Sequence, residues 1–423
     1  LNVYVIGLGH VGLPMACFAA RAGKSVIGVD IDPHAVEAVR NGTVKIHELC
    51  DEMPISRLAK ELIAQGTLAV TGSLRRRDEA PGVFVVSVGI KSSPDFAQDT
   101  TPIVEVVDAL LPQLVAGDLV IFRTTLIPGT MDEYVVPRIK ELNRPVHLAY
   151  CPETIAENNA FAELDKNPIL IGGIDQISCQ KAEEFFRSIS HAPVYFASSI
   201  KVAELVKVVQ NINRDVEVAF INEISEAARV LGVDIYEVIS LVNTHPRVKV
   251  LQPGPGVGGY CLPNALIYLQ HALAGKPDAA LPLSEAARDS NLKRPRKIVG
   301  WVEAALRDVG KELNQASVAI IGLAMKDNCA DTRYSPAVAI AGMLQAKGAE
   351  VRAYDPLIGR VFPYQCESFE ECIAGADCLL LAAVQPGMEL APATAKRLLA
   401  DPALVVDTRN VFPATEGIKV CRI

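Results

Sequence analysis

The sequence predicts an α/β fold: two Rossmann-like, doubly wound parallel-sheet domains joined by a long central helix and a helical segment. Three observations predict it. Short β-branched runs alternate with helical stretches from residue 2 onward, the same alternation restarts at Ala316, and an unbroken helical periodicity lies between the two. Alternating strands and helices favour a parallel sheet with right-handed crossovers.

The first elements read strand, glycine turn, helix, strand. Asn2 to Ile6 is β-rich, Gly7 to Gly12 is the turn, and Leu13 to Ala22 is an alanine-rich helix closed by Gly23. Ser25 to Val29 is a second strand that stops at Asp30, and further buried strands are expected at 83–88, 119–122 and 147–151, with a helix near 103–114. From Ser199 to Gly232, apolar residues recur every three or four positions with no internal Pro or Gly. That is one helix of roughly 30 residues, about 45 Å long, and it reads as a spine and a dimer surface. Shorter helices are expected up to Gly310, broken by the glycine-rich segment 254–259. Strands at 318–322, 350–354, 377–382 and 404–407, with a helix at 335–347, then repeat the first topology without its glycine triplet.

A chain of 423 residues exceeds one compact core. The expected division is a first sheet domain at 1–198, a helical domain at 199–312, and a second sheet domain at 313–423. Half the residues are hydrophobic and 21% are charged, which excludes disorder. A net charge of −8 argues against non-specific nucleic-acid binding. Ten cysteines with no C-x-x-C pair suit neither a disulfide scaffold nor a zinc site, so no metal is expected and the thiols read as reduced, in a cytoplasmic protein. No run nears the roughly 18 apolar residues of a membrane span. The opening segment reads as a strand rather than a signal peptide.

Gly7, Gly9 and Gly12 form G-x-G-x-x-G, with His10 and Val11 between the last two. The motif follows a strand, opens a helix, and precedes Asp30 at the next strand end, a context that makes it specific. Gly7 permits the tight turn, Gly9 lets the backbone approach a pyrophosphate, and Gly12 lets helix and strand pack closely. Free N–H groups at the helix start then meet the phosphates. Asp30 is expected to accept the adenosine ribose hydroxyls and to repel a 2′-phosphate, and no Arg or Lys follows before Arg40. NAD is therefore favoured over NADP, and nothing else suggests FAD.

The segment from Gly254 to Pro263 places four glycines and two prolines around one thiol, Cys261. Taken alone, Cys261 fits an inert small side chain more readily than a nucleophile. On the long helix, Lys207 and Asn211 are spaced i, i+4 on one face and Arg214 follows near it, which taken alone reads as a solvated stripe.

Together these residues resemble the nucleotide-sugar 6-dehydrogenase family, the UDP-glucose and UDP-N-acetylhexosamine (UDP-N-acetylmannosamine) dehydrogenases. The resemblance spans the chain: Gly7 to Pro14, Thr124 to Thr130, Cys151-Pro152-Glu153, Lys207 with Asn211, Gly256 to Pro263, Lys326 to Pro336, and Asp407 to Asn410. It implies oxidation of a sugar C6 alcohol to a carboxylate with two NAD⁺, the aldehyde being trapped on a thiolate as a thiohemiacetal and then a thioester. By this resemblance Cys261 is the nucleophile, Lys207 and Asn211 stabilise the C6 oxygen, and Thr125 and Glu153 hold water and serve as base. It also places Arg333 on the cofactor side, Gly258, Lys326, Arg409 and Arg214 near the nucleotide-sugar, and Arg247 across a dimer contact. His245 reads equally as a ligand or a structural histidine.

The sequence departs from the family where an aspartate usually follows the nucleophile by four residues; here that position is Ala265. Other departures lie at 46–53, at 88–94 and at Thr154, which stands where one branch has arginine and another phenylalanine. The segment 243–261 looks more like the N-acetylhexosamine branch. Two alternatives remain at this point: a two-electron hydroxyacid dehydrogenase of the 6-phosphogluconate type, and a non-catalytic NAD or UDP-sugar sensor for which Ala265 speaks.

Overall fold

A computed structural model describes residues 1–93, 96–156, 158–276, 278–388 and 391–422. Pro94, in one of the atypical stretches, lies outside the described residues. The chain forms two compact units, Leu1–Gln210 with Ile267–Pro277, and Asn211–Leu266 with Asp278–Ile423.

The first unit is built on an eight-stranded sheet. Its order is Val194–Phe196, Ile169–Gly173, His147–Tyr150, Leu119–Phe122, Val83–Val86, Asn2–Ile6, Ser25–Val29 and Leu68–Thr71. The inner strands are buried on both faces, as parallel strands under helices must be: Val3, Val5, Val85 and Ile121 are fully enclosed. One pairing differs from the expected parallel pattern. Ile169–Gly173 runs antiparallel to His147–Tyr150, because the connection carries only the short helix Ala160–Lys166 and makes no full crossover. Asn2–Ile6 pairs with Ser25–Val29 on one side and Val83–Val86 on the other. The chain order reverses there, and ligand sites of doubly wound sheets form at that reversal.

The second unit carries a five-stranded parallel sheet in the order Glu350–Tyr354, Ser317–Ile321, Cys378–Leu381, Ala403–Asp407 and Ile418–Arg422. The last strand is an addition to the expected set; its alternation is interrupted by Lys419 and Arg422 at an edge. Gly322 sits at φ +87°, and a Cβ there would stand 2.2 Å from the Ala383 carbonyl oxygen. This close approach parallels Gly7 and the Ser87–Val88 backbone in the first sheet.

The helix Ile200–Leu231 runs unbroken for 32 residues, as its periodicity predicts. The helices that follow are not all short. Pro282–Arg307 extends for 26 residues, and its Ile298, Val299, Val302 and Leu306 enter the second unit's core. Polar residues on its inner face disguise that length. Arg288 and Asn291 both bond Asp215 of the long helix, and Arg294 reaches Asn222, Ser225 and Glu226 further along it.

Candidate active site

The glycine turn of the first unit has the geometry its sequence requires. Gly7 sits at φ +88°, and a Cβ on Gly12 would stand 1.7 Å from the Gly7 carbonyl oxygen. Gly9 has nothing within 4 Å of its Cβ position, so its face is open. The helix Gly12–Arg21 starts at Val11 without a side-chain cap or a first-turn acid, leaving its early N–H groups for an anion. His10 stands exposed beside it. Asp30 accepts Leu8 N–H at 2.8 Å and Asp32 N–H at 3.0 Å, which fixes the turn to the second strand end while the side chain stays half-exposed. These residues fit a dinucleotide: open backbone at the pyrophosphate, uncapped helix, and a carboxylate with lone pairs left for ribose hydroxyls.

Two more expected residues lie at the same edge of that sheet. Phe122 pairs with Tyr150 in parallel register, so the half-buried Thr125 and the buried Glu153 follow neighbouring strand ends. Glu153 is strongly tethered. One carboxylate oxygen accepts Thr154 N–H at 2.7 Å and Ile155 N–H at 3.1 Å, and the other takes the Arg123 guanidinium. Arg123, itself buried, stacks 5.1 Å from the Phe186 ring centre. With both oxygens engaged, the Glu153 carboxylate is fixed in one orientation.

Lys207 belongs to the first unit, and Asn211 begins the second one turn further along the same helix. Asn211 is buried, and its Nδ2 has no hydrogen-bond partner among the described residues. An orphaned buried donor needs a water or ligand oxygen. Arg214 points outward beside Glu217 at 3.9 Å.

In the second unit the glycine-rich loop is gripped from several sides. Gly254 N–H donates to Asn222 Oδ1 at 2.9 Å and its carbonyl accepts Arg294 Nε–H at 3.1 Å. Gly259 N–H donates to the Arg333 carbonyl at 2.8 Å. A Cβ on Gly258 would lie 2.6 Å from the Tyr334 carbonyl oxygen, and one on Gly259 would lie 2.2 Å from Met325 Sδ. Backbone excludes a side chain at Gly258, and a φ of +79° favours glycine at Gly259. Arg333, held by the Asp331 carboxylate, lies 5.6 Å from the Tyr260 ring centre. The loop delivers Cys261 as the first residue of the helix Cys261–Ala272, where the Asn264 amide reaches back to the Tyr260 carbonyl at 2.8 Å. Cys261 alone among the ten cysteines is exposed. A thiolate at that helix start meets the positive end of the helix dipole.

Arg409 pairs with Asp327, and its Nη1 is 2.9 Å from the Gly254 Cβ position. Lys326 is exposed next to the half-buried Asp327. Within this unit the loop therefore lies against Met325, Arg333, Tyr334 and Arg409. Arg247 stands apart on an exposed turn capped by His245, whose Nδ1 accepts Arg247 N–H at 3.3 Å. Ala265 is buried and offers no carboxylate.

Four structural participants escaped sequence reading: Arg123, Glu204, Arg294 and Asp327. Arg294 had a signal, a charged residue at an inner helical position. The others sit singly among apolar or loop neighbours and carry no pattern. Among the described residues no group of three or more His, Cys, Asp or Glu could hold a metal, and no helix is long and apolar enough to cross a membrane.

Comparison with known proteins decides the family. Residues 1–190 match the NAD binding domain of the UDP-glucose/GDP-mannose dehydrogenase family, residues 201–293 its central domain, and residues 319–414 its UDP binding domain. The chain belongs to this family. It is an NAD-binding nucleotide-sugar dehydrogenase, an oxidoreductase with a UDP binding domain. Among its relatives, the UDP-N-acetyl-D-mannosamine dehydrogenase of Methanocaldococcus jannaschii is 33% identical over 386 residues, covering 90% of this chain and 85% of that one. The Escherichia coli K12 enzyme of the same description is 32% identical, covering 90% and 92%. The solved UDP-D-ManNAc dehydrogenase of Pyrococcus horikoshii superimposes with a TM-score of 0.88 at 29% identity, covering 100% of this chain and 99% of that one.

Proposed function

We propose that this dehydrogenase oxidises the C6 hydroxyl of a nucleotide-activated hexose to the uronic acid in two NAD⁺-dependent steps, and that its sugar is an N-acetylated hexosamine. The observation that carries the proposal is the exposed Cys261 at a helix N-terminus, presented by a loop packed on Met325, Arg333 and Tyr334. Bound NAD⁺ supplies the hydride acceptor for each oxidation. The names of the relatives support UDP-N-acetyl-D-mannosamine as the first substrate to test.

In this reading the three stretches 1–198, 199–312 and 313–423 serve cofactor, thiol loop and nucleotide-sugar respectively. Gly7, Gly9, Gly12 and Asp30 hold the cofactor, and Arg333 serves it as well. Lys326, Arg409, Gly258, Arg214 and Arg247 serve the substrate. Lys207 and the Asn211 amide steady the C6 oxygen as its charge changes. After the first hydride leaves C6, the Cys261 sulfur adds to the aldehyde carbon and its C=O electron pair moves to oxygen. The second hydride leaves the same carbon, giving a thioester. Water held near Thr125 and Glu153 then adds, the C–S bond breaks, and the thiol and a carboxylate are released. The balance is one water consumed and two NADH formed per uronate.

A homodimer in the cytoplasm completes the proposal. Val202, Leu205, Val209 and Phe220 are exposed apolar side chains along the long helix, and a second copy would cover them. The deciding experiment follows NADH absorbance over a panel of UDP- and dTDP-hexoses. Two NADH per uronate, with Cys261→Ser yielding no acid, is the expected result. One NADH with free aldehyde, or nucleotide-sugar binding with no NADH, would overturn it.

A further inference from the structure

Glu204 is fully buried, one turn before Lys207 on the long helix. Its two carboxylate oxygens accept the N–H groups of Gly129, at 2.7 Å, and Met131, at 3.0 Å. Those donors lie at the junction of the Thr124–Thr130 segment and the helical stretch that starts at Met131, so a single side chain from one element closes the end of another. The junction is demanding. Gly129 holds φ +105°, and Thr130 turns its hydroxyl to the Ile127 carbonyl at 2.7 Å.

We propose that Glu204 is a positioning residue: its ionised carboxylate pins the Thr125 loop to the helix that bears Lys207, and its protonation releases the loop. The inference rests on the roles proposed above for Thr125 and Lys207. A carboxylate offers acceptor lone pairs on both oxygens, whereas the protonated acid has one hydroxyl oxygen that accepts poorly, so one of the two N–H bonds weakens.

The surroundings bring this switch near neutrality. Burial pushes the Glu204 carboxyl up to about 7, against the two N–H bonds that favour its charge. Asp132 raises it further and Lys201 lowers it; these two face each other at 3.6 Å. Glu133 stands by Gly129, and the Tyr150 hydroxyl faces Glu204 from the sheet. Two opposite pH trends follow. The native state holds the Glu204 proton more tightly than an unfolded chain does, so this group's contribution to stability falls as pH rises from the ordinary carboxyl range to about 7. Loop order and turnover rise as the pH passes through about 7.

Amide hydrogen exchange tests the proposal without any activity. Protection of Gly129 and Met131, corrected for the intrinsic rate, is expected to increase about tenfold between pH 6 and pH 8 in the wild-type chain, following the ionised fraction. In Glu204→Gln, which cannot offer two acceptors, it is expected to stay low at both. The same variant is expected to lower kcat about 10- to 100-fold and to lose the acid limb of the profile, with KM for the nucleotide-sugar little changed. Equal wild-type protection at the two pH values, or an acid limb that persists in Glu204→Gln, would overturn the proposal. The wild-type exchange experiment stands even where the variant fails to fold. Absence of turnover on every substrate alongside pH-dependent protection would instead refute the roles given to Thr125 and Lys207.

Discussion

Asp30 and Asp355 occupy equivalent positions in the two sheets, each accepting a backbone N–H at 2.8 Å, from Leu8 and from Leu323. The likeness ends at saturation. Asp355 is buried and also takes the Ala324 and Leu357 N–H groups and the Gln385 amide. Among the described residues Asp30 has only the Asp32 N–H besides, and it stays half-exposed. One aspartate is therefore spent on the fold, while the other can also receive a ribose. The missing glycine triplet agrees with this division, since Leu323 and Ala324 stand where the first sheet keeps an open turn.

Asp30→Asn is accordingly expected to raise KM for NAD⁺ by about 10- to 100-fold, the worth of a hydrogen bond to a charged group. Discrimination against NADP⁺ should narrow at the same time, because the repelling charge is gone. Steady-state kinetics with both cofactors checks this. An unchanged preference would remove Asp30 from the cofactor site.

The Arg123–Glu153 pair is enclosed, with side chains only 4% and 8% exposed. Removing one partner strands a buried charge. Arg123→Met is expected to destabilise the first unit by about 3–5 kcal/mol. Adding Glu153→Gln should recover much of that loss, because the remaining amide carries no charge to strand. Denaturant unfolding of the single and double variants gives the coupling. Additive effects would mean that the pair does not act as one.

Much of this architecture was legible because the inner strands are largely apolar runs: Asn2–Ile6, Ser25–Val29, Leu119–Phe122 and Cys378–Leu381. The reversed strand Ile169–Gly173 was not legible, since strand direction leaves no mark on an apolar run. The long helix Pro282–Arg307 was obscured for a different reason. Its inner face uses Arg288, Asn291 and Arg294, which bury only because Asp215 and Glu226 face them from another helix. The same limit hid Glu204 and Arg123 from the candidate site. Their meaning lies in partners 73 to 75 and 30 residues away, a separation that no local pattern records.

Two glycines separate conformational cost from contact cost. Gly232 sits at φ +70° with nothing within 4 Å, so Gly232→Ala is expected to cost about 1–2 kcal/mol and leave turnover intact. Gly258→Ala meets the Tyr334 carbonyl at 2.6 Å and Met325 Cβ at 2.9 Å. Backbone cannot yield there without moving the loop that carries Cys261. Turnover is expected to fall about 100-fold while NAD⁺ affinity in the other unit is unchanged. Near-normal turnover in Gly258→Ala would mean that loop position does not govern the thiol.

Ala265 and Glu153 together bear on the order of rates. The buried Ala265 methyl group brings no carboxylate to the thiol's helix, and Glu153 has both oxygens engaged by Arg123, Thr154 and Ile155. Water that must attack a thioester therefore finds no unengaged base at either position. The two oxidations need a hydride acceptor and a steadied oxygen, neither of which depends on that base. Rapid mixing is expected to release a burst of two NADH per subunit, followed by slow steady turnover limited by hydrolysis. Hydroxylamine, a stronger nucleophile than water, should speed the slow phase by capturing the thioester, and acid quenching during that phase should trap the sugar on the peptide containing Cys261. A single linear phase with no trapped adduct would place the slow step before the thioester, and the missing carboxylate would then have no kinetic consequence.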